Sequence, residues 1–159
     1  MEQVFILNSS PIISLSKAGL KKILEKLIVW IPHDVTVELN HEKYTDDARQ
    51  FVNTHQDRVF SEYLISDDIK NWGLGNGESS VLAVACQHRE WIAVIDDGAA
   101  RKCANVYNVN LTGTLGLLLI AYKIGVVRNL QDAITALKHA GLYLNKHVIE
   151  EILQKADNA

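Results

Sequence analysis

A chain of 159 residues that is 48% hydrophobic and 22% charged can bury a sizeable core and is too apolar for general disorder. Its formal net charge of −3 and pI near 6.0 argue against the basic stripe of a broad, nonspecific nucleic-acid binder. They leave room for a small site where metal ions would bring positive charge. The longest apolar run, residues 115–121, is too short to cross a bilayer. Residues 1–7 lack the basic flank and long apolar stretch of a secretory signal, so the expected location is cytoplasmic. Cys86 and Cys103 fall in apolar, helical-looking segments and read as buried free thiols. The six histidines show no HxxxH or CxxC spacing, which gives a zinc site no basis.

In chain order, Val4-Phe5-Ile6-Leu7 is apolar to its last residue and then broken by Asn8-Ser9-Ser10-Pro11. It predicts a strand buried on both faces, followed by a two-turn helix capped by Ser9 or Ser10 and ending near Gly19. Leu20 to Leu27 has apolar residues at helical spacing. Ile28-Val29-Trp30-Ile31, stopped by Pro32, predicts a second strand. Residues 33–56 read as helix with a break at Tyr44-Thr45; Asp34, Thr45 and Asp46 serve as caps. Val59-Phe60 and Tyr63-Leu64-Ile65 predict a third, edge strand. Asn71 to Gly77 is a glycine-rich loop, and a helix is expected over 78–89. A fourth buried strand over 91–95 ends at Asp96-Asp97. A short helix over 98–105, a fifth strand over 107–111 and closing helices over 113–124, 130–140 and 146–156 complete the chain. No repeat, low-complexity tract or linker interrupts it, so one domain over 1–159 is expected.

Strands alternating with helices predict an α/β fold, a mostly parallel sheet of about five strands covered on both faces. Ligands of such sheets collect at the carboxyl ends of strands where the strand order reverses. Two strands end in polar residues of metal-ligand type, the first at Asn8 and the fourth at Asp96-Asp97. Two carboxylates about 4 Å apart repel by roughly 4 kcal/mol at an effective dielectric of about 20 unless a cation compensates. The competing reading is that one caps the next helix while the other pairs with Arg101 or Lys102. Glu78, just after Gly75-Asn76-Gly77, is either a helix-dipole partner or an acid whose glycines let a ligand approach. Glu38, one turn beyond Asp34, would by itself be a solvated helix residue. Asn8 can lend a neutral carbonyl oxygen to a hard cation.

Taken together these segments resemble a known family. The likeness runs through Val4-Phe5-Ile6-Leu7-Asn8-Ser9-Ser10-Pro11-Ile12-Ile13, Ile31-Pro32 to Glu38, and Gly75-Asn76-Gly77-Glu78-Ser79. It continues through Ile95-Asp96-Asp97-Gly98-Ala99-Ala100-Arg101 and Thr112-Gly113-Thr114-Leu115-Gly116. In order and spacing the chain resembles the PIN-domain superfamily, and within it the VapC-like domains of the DUF3368 group. The resemblance implies a three-layer α/β/α sandwich and a ribonuclease site dependent on Mg²⁺ or Mn²⁺. Its acids carry over to Glu38, Glu78 and Asp97, with Asp96 as a fourth. Asp97 is preferred to Asp96 because the superfamily motif sets its acid three residues before an apolar position, here Ala100. Thr114 either polarises the site or caps a helix. Where the family normally has Asp at the end of the first strand, this chain has Asn8.

The expected function is therefore a metal-dependent endoribonuclease acting on single-stranded RNA, the toxin of a toxin–antitoxin pair. The expected metal ligands are Asn8, Glu38, Glu78, Asp96 and Asp97. The alternative is a weakened PIN module that binds RNA or a protein without cleaving. The resemblance also implies a homodimer and an antitoxin that plugs the acidic crevice. Residues 115–121 are read either as a dimer face or as an internal helix. A phosphotransfer domain would want acids at the end of the first strand, where Asn8 stands.

Overall fold

The first strand is apolar at consecutive positions, and Phe5, Ile6 and Leu7 are all at most 1% exposed. A strand that buries neighbouring residues must be covered on both faces. In the computed structural model, which describes residues 2–41, 43 and 46–158, β1 (Val4–Leu7) lies at the centre of a five-stranded sheet. On one side it pairs with β2 (Ile28–Pro32), which pairs in turn with β3 (Val59–Phe60). On the other it pairs with β4 (Ile92–Val94), followed by β5 (Leu111–Thr112). Every pairing is parallel, and Ile6 stands in register with Trp30 and Ala93. The order β3-β2-β1-β4-β5 reverses between β1 and β4, which puts a topological switch point beside Asn8.

Helices cover both faces, giving the expected three-layer α/β/α arrangement. They are α1 (Ser9–Lys17), α2 (Lys21–Lys26), α3 (His33–His41), α4 (Asp46–Thr54), α5 (Asp67–Lys70), α6 (Asn76–Gln87), α7 (Gly98–Val106), α8 (Thr114–Lys123), α9 (Leu130–His139) and α10 (Lys146–Asp157). A single 3₁₀ turn, Gln56–Arg58, leads into β3. Leu15, Ile31, Leu82, Ile95 and Leu117 are fully buried between these layers. Each such side chain contributes about 1.5–3 kcal/mol relative to exposure.

Several local expectations shift. Asn8, not Ser9 or Ser10, is the N-cap residue of α1, and its side chain makes no capping bond. The two serines lie inside the first turn, where their hydroxyls are free to bond elsewhere. The third strand stops at Phe60. Tyr63 instead donates its hydroxyl to Asp34 Oδ2 at 2.5 Å and accepts from Asp34 N at 3.0 Å, while Leu64 is largely exposed. Burial and the Asp34 contact push the Tyr63 phenol up to about 12. The short helix α5, capped by Ser66, was not foreseen, and α6 starts two residues early, at Asn76.

The fifth strand is Leu111–Thr112 and not 107–111. The preceding helix overruns to Val106 and closes through Asn108, whose φ of 56° lies in the left-handed region that Asn tolerates. The break foreseen at Tyr44-Thr45, and the Thr45 cap, lie outside the described residues. Residues 115–121 form a helix with five of seven side chains buried, Leu117, Leu118 and Ala121 completely. That run is internal, so it no longer argues for a dimer face. Cys86 and Cys103 are free thiols, half-buried and buried. Among the described residues no helix is long and apolar enough to cross a membrane.

Candidate active site

Helices α1, α6, α7 and α8 begin at the carboxyl edge of the sheet, and a helix N-terminus has unpaired N–H groups and a partial positive charge. Each meets one of the polar residues in question. Asp97 is the N-cap of α7, its Oδ2 accepting from Ala100 N at 3.0 Å. Asp96 reaches across to α8, with Oδ1 accepting from Thr114 N at 2.8 Å and Oδ2 from Thr114 Oγ1 at 2.6 Å. Glu38, on the second turn of α3, caps α6, its Oε1 accepting from Gly77 N at 2.7 Å. Asn8 begins α1. Helix N-termini thus offset part of the repulsion among acids that share one end of the sheet.

The paired serines tighten two of these contacts. Ser9 Oγ donates to Glu38 Oε2 at 3.1 Å, and Ser10 Oγ donates to Asp96 Oδ2 at 3.1 Å. Gly77 is required by the Glu38 contact: a Cβ there would stand 2.4 Å from Glu38 Oε2. The glycine therefore admits the carboxylate of Glu38, where one reading of the sequence had it admit a ligand. Both Glu38 Oε1 and Glu78 Oε2 lie within 4 Å of where a Gly75 Cβ would be, so these two acids flank the same backbone.

Glu78 differs from the capping acids. Burial pushes its carboxyl up from the ordinary 4.5, the negative charges of Asp97 and Glu38 add to that, and hydrogen bonds from the Gly75 backbone and the Asn8 side chain oppose it. These influences bring Asn8, Glu38, Glu78 and Asp97 into one electrostatic neighbourhood. Asn8 is 5% exposed, and its Oδ1 is buried with no hydrogen-bond partner. An orphaned buried oxygen costs about 1–3 kcal/mol. A hard cation would satisfy it and relieve the crowded charge on Glu78.

Asp96 stands apart from this group. Both its oxygens are engaged by Thr114 and Ser10, and Arg101 does not pair with it but donates from Nη1 to the Ile95 carbonyl at 2.8 Å. Its three hydrogen bonds make it a helix cap and strut, the role the sequence offered for one acid of the pair. Thr114 is completely buried and donates its hydroxyl to Asp96; the N-cap position of α8 is Gly113, so Thr114 is not the helix cap that the sequence offered. Among the described residues no three Asp, Glu, His or Cys side chains stand as a ready-made metal-holding group. The donors that fit a hard divalent cation are the Asn8 carbonyl with the Glu38, Glu78 and Asp97 carboxylates, since an oxygen that accepts one hydrogen bond, as both Glu38 oxygens do, keeps a second lone pair.

The positioning roles of Ser9, Ser10 and Gly77 escaped the sequence reading. The available signal was place: Ser9 and Ser10 directly follow a strand at the switch point, and Gly77 directly precedes a candidate acid. Comparison with curated proteins gives no match. The DUF3368 family model, described as a PIN domain, matches residues 4–158. With nearly the whole chain covered, this protein belongs to the PIN-domain family, whose members are in general nuclease-type proteins using divalent metal ions.

Proposed function

We propose that this chain is a metal-dependent endoribonuclease acting on single-stranded RNA, and the toxin of a toxin–antitoxin pair. The observation that carries the proposal is the unpartnered, buried Asn8 Oδ1 beside Glu78, at the switch point that Asp97 and Glu38 also border. In this reading Asn8, Glu38, Glu78 and Asp97 hold Mg²⁺ or Mn²⁺, with Asp96 as a further acid beside them. When bound, such an ion supplies positive charge to the phosphate and acidifies a water. Glu38, fixed by Gly77 N–H and the Ser9 hydroxyl, sets the shape of the crevice wall. Glu78, pushed up by burial and its acidic neighbours, holds a proton more readily than an ordinary carboxylate. Single-stranded RNA is favoured because a compact crevice reaches splayed phosphates more easily than a duplex backbone. One domain over 1–159, a homodimer and a small antitoxin partner belong to the same proposal. The first is supported by the unbroken family match, the other two by resemblance alone.

A second reading has specific support. Asn8 supplies no charge where the family has an acid, and no ready-made three-acid group exists among the described residues. On that reading the chain binds RNA or a protein without cleaving. Incubating the purified protein with mixed single-stranded RNA and Mn²⁺ separates the two. The nuclease reading expects slow cleavage that EDTA abolishes; binding without cleavage selects the second. A neighbouring gene whose small product copurifies with the chain and blocks cleavage would support the toxin assignment, and its absence would count against it.

A further inference from the structure

Beside the acid crevice lies a cleft of about 450 Å³, bordered by Asp96, Arg101, Gly113, Leu142, Tyr143 and Lys155 among others. It begins where β4 and β5 end, so it continues the crevice along the carboxyl edge of the sheet. Arg101 is half-buried in its wall, and its Nη1 donates to the Ile95 carbonyl. Among the described residues Arg101 forms no ion pair with a carboxylate, whereas Lys155 is paired with Glu151 at 3.4 Å. Asp96, which borders the same cleft, accepts from Thr114 and Ser10 instead. Gly113 keeps the floor open, because a Cβ there would come within 2.9 Å of Asp96 Oδ1 and 3.3 Å of Arg101 Nη1. At the rim Tyr143 is 89% exposed, flanked by Leu142 and Leu144.

A half-enclosed guanidinium that makes no direct ion pair keeps donors free beyond its one bond to the Ile95 carbonyl, and these suit a phosphate oxygen. An exposed aromatic ring on an apolar rim suits the flat face of a base. One chemical class offers both at this scale, a nucleotide unit within a single strand. We propose that the cleft is a subsite for single-stranded RNA entering or leaving the crevice, with a phosphate on Arg101 and a base stacked on Tyr143. This deepens the ribonuclease reading and rests on it for the identity of the strand.

The test is binding of a fluorescently labelled single-stranded RNA oligonucleotide in EDTA, where affinity is read without cleavage. Tyr143→Ala weakens binding about tenfold, Tyr143→Phe restores it, and melting temperature is unchanged because the ring is exposed. Arg101→Gln also weakens binding and flattens the slope of log affinity against log salt by about 0.7, one phosphate contact. Wild-type affinity in Tyr143→Ala overturns the subsite, as does a failure of the wild type to bind RNA. If RNA binding is kept and a peptide partner is instead lost in Tyr143→Ala, the cleft is a protein-docking groove and the proposal falls. A separate Mn²⁺ cleavage assay keeps the two readings apart. Cleavage with unaltered Tyr143→Ala affinity removes the subsite alone, while Tyr143-dependent binding without any cleavage removes the nuclease reading alone.

Discussion

Asp96 and Asp97 are neighbours in sequence at the end of one strand, yet they sit in opposite electrostatic situations. The corner around Asp96 is closed: three hydrogen bonds from Thr114 and Ser10 meet its two oxygens, and Thr114 is completely buried. The crevice around Asp97 is open. Asp97 has one bond to the helix it caps, Glu78 is pushed up by its surroundings, and Asn8 Oδ1 has no partner. On the proposed reading, the difference separates an acid that holds the fold from a crevice that takes a ligand. A carboxylate with several hydrogen bonds is held in place by the fold, whereas an unsatisfied neighbour such as Asn8 Oδ1 marks the place where a cation gains most.

The sharpest way to break this comparison is to exchange the fates of the two aspartates. Asp96→Ala removes three hydrogen bonds and strands the buried Thr114 N–H, for an expected loss of about 3 kcal/mol in urea unfolding. Asp97→Asn keeps a capping oxygen and should cost about 1 kcal/mol or less, while reducing Mn²⁺ affinity and cleavage. Equal losses of stability in the two variants would erase the distinction. Gly77→Ala comes next: its methyl group would displace the Glu38 carboxylate and break the bond to Gly77 N, costing about 2 kcal/mol. A variant as stable as the wild type would mean that Glu38 repacks freely.

Asn8→Asp sharpens the open side. A full charge at the orphaned oxygen should tighten Mg²⁺ or Mn²⁺ binding by roughly tenfold, about 1.4 kcal/mol, and lower the stability of the metal-free protein slightly. Calorimetric titration with no change in affinity would reduce Asn8 to a turn residue. The smallest effect concerns pH. The folded Glu78 carboxyl lies above its ordinary value, so between the unfolded and folded values the folded state binds more protons. Metal-free stability from this group therefore falls as pH rises through that window and stays lower above it. Glu78→Gln should flatten that dependence and raise the metal-free melting temperature at pH 7. An unchanged pH profile would show that Glu78 titrates as an ordinary surface acid.

Much of the framework was legible in the residues. Val4-Phe5-Ile6-Leu7 and Trp91-Ile92-Ala93-Val94-Ile95 are short, apolar without alternation and closed by polar turn formers, which reads as strands buried on both faces, so the parallel sheet and its layered cover followed. Asn8 and Asp96-Asp97 at the ends of those strands located the candidate site through the topology rule for open sheets. Tyr63-Leu64-Ile65 misled because β-branched and aromatic residues report a half-buried surface, and here that surface is a hydrogen bond to α3 rather than a ladder.

Composition, periodicity and strand-end chemistry thus determined the fold class and placed Asn8 and Asp96-Asp97 at the site, since these depend on local pattern and on the few topologies a parallel sheet allows, while Glu38 and Glu78 joined them through the family resemblance. Only the tertiary structure decided how the acids divide. Whether a carboxylate is satisfied depends on donors brought from distant segments: Thr114 and Ser10 to Asp96, Gly77 and Ser9 to Glu38. Adjacent positions such as 96 and 97 face different helices, and no spacing rule within one strand end records which helix N-terminus each will meet.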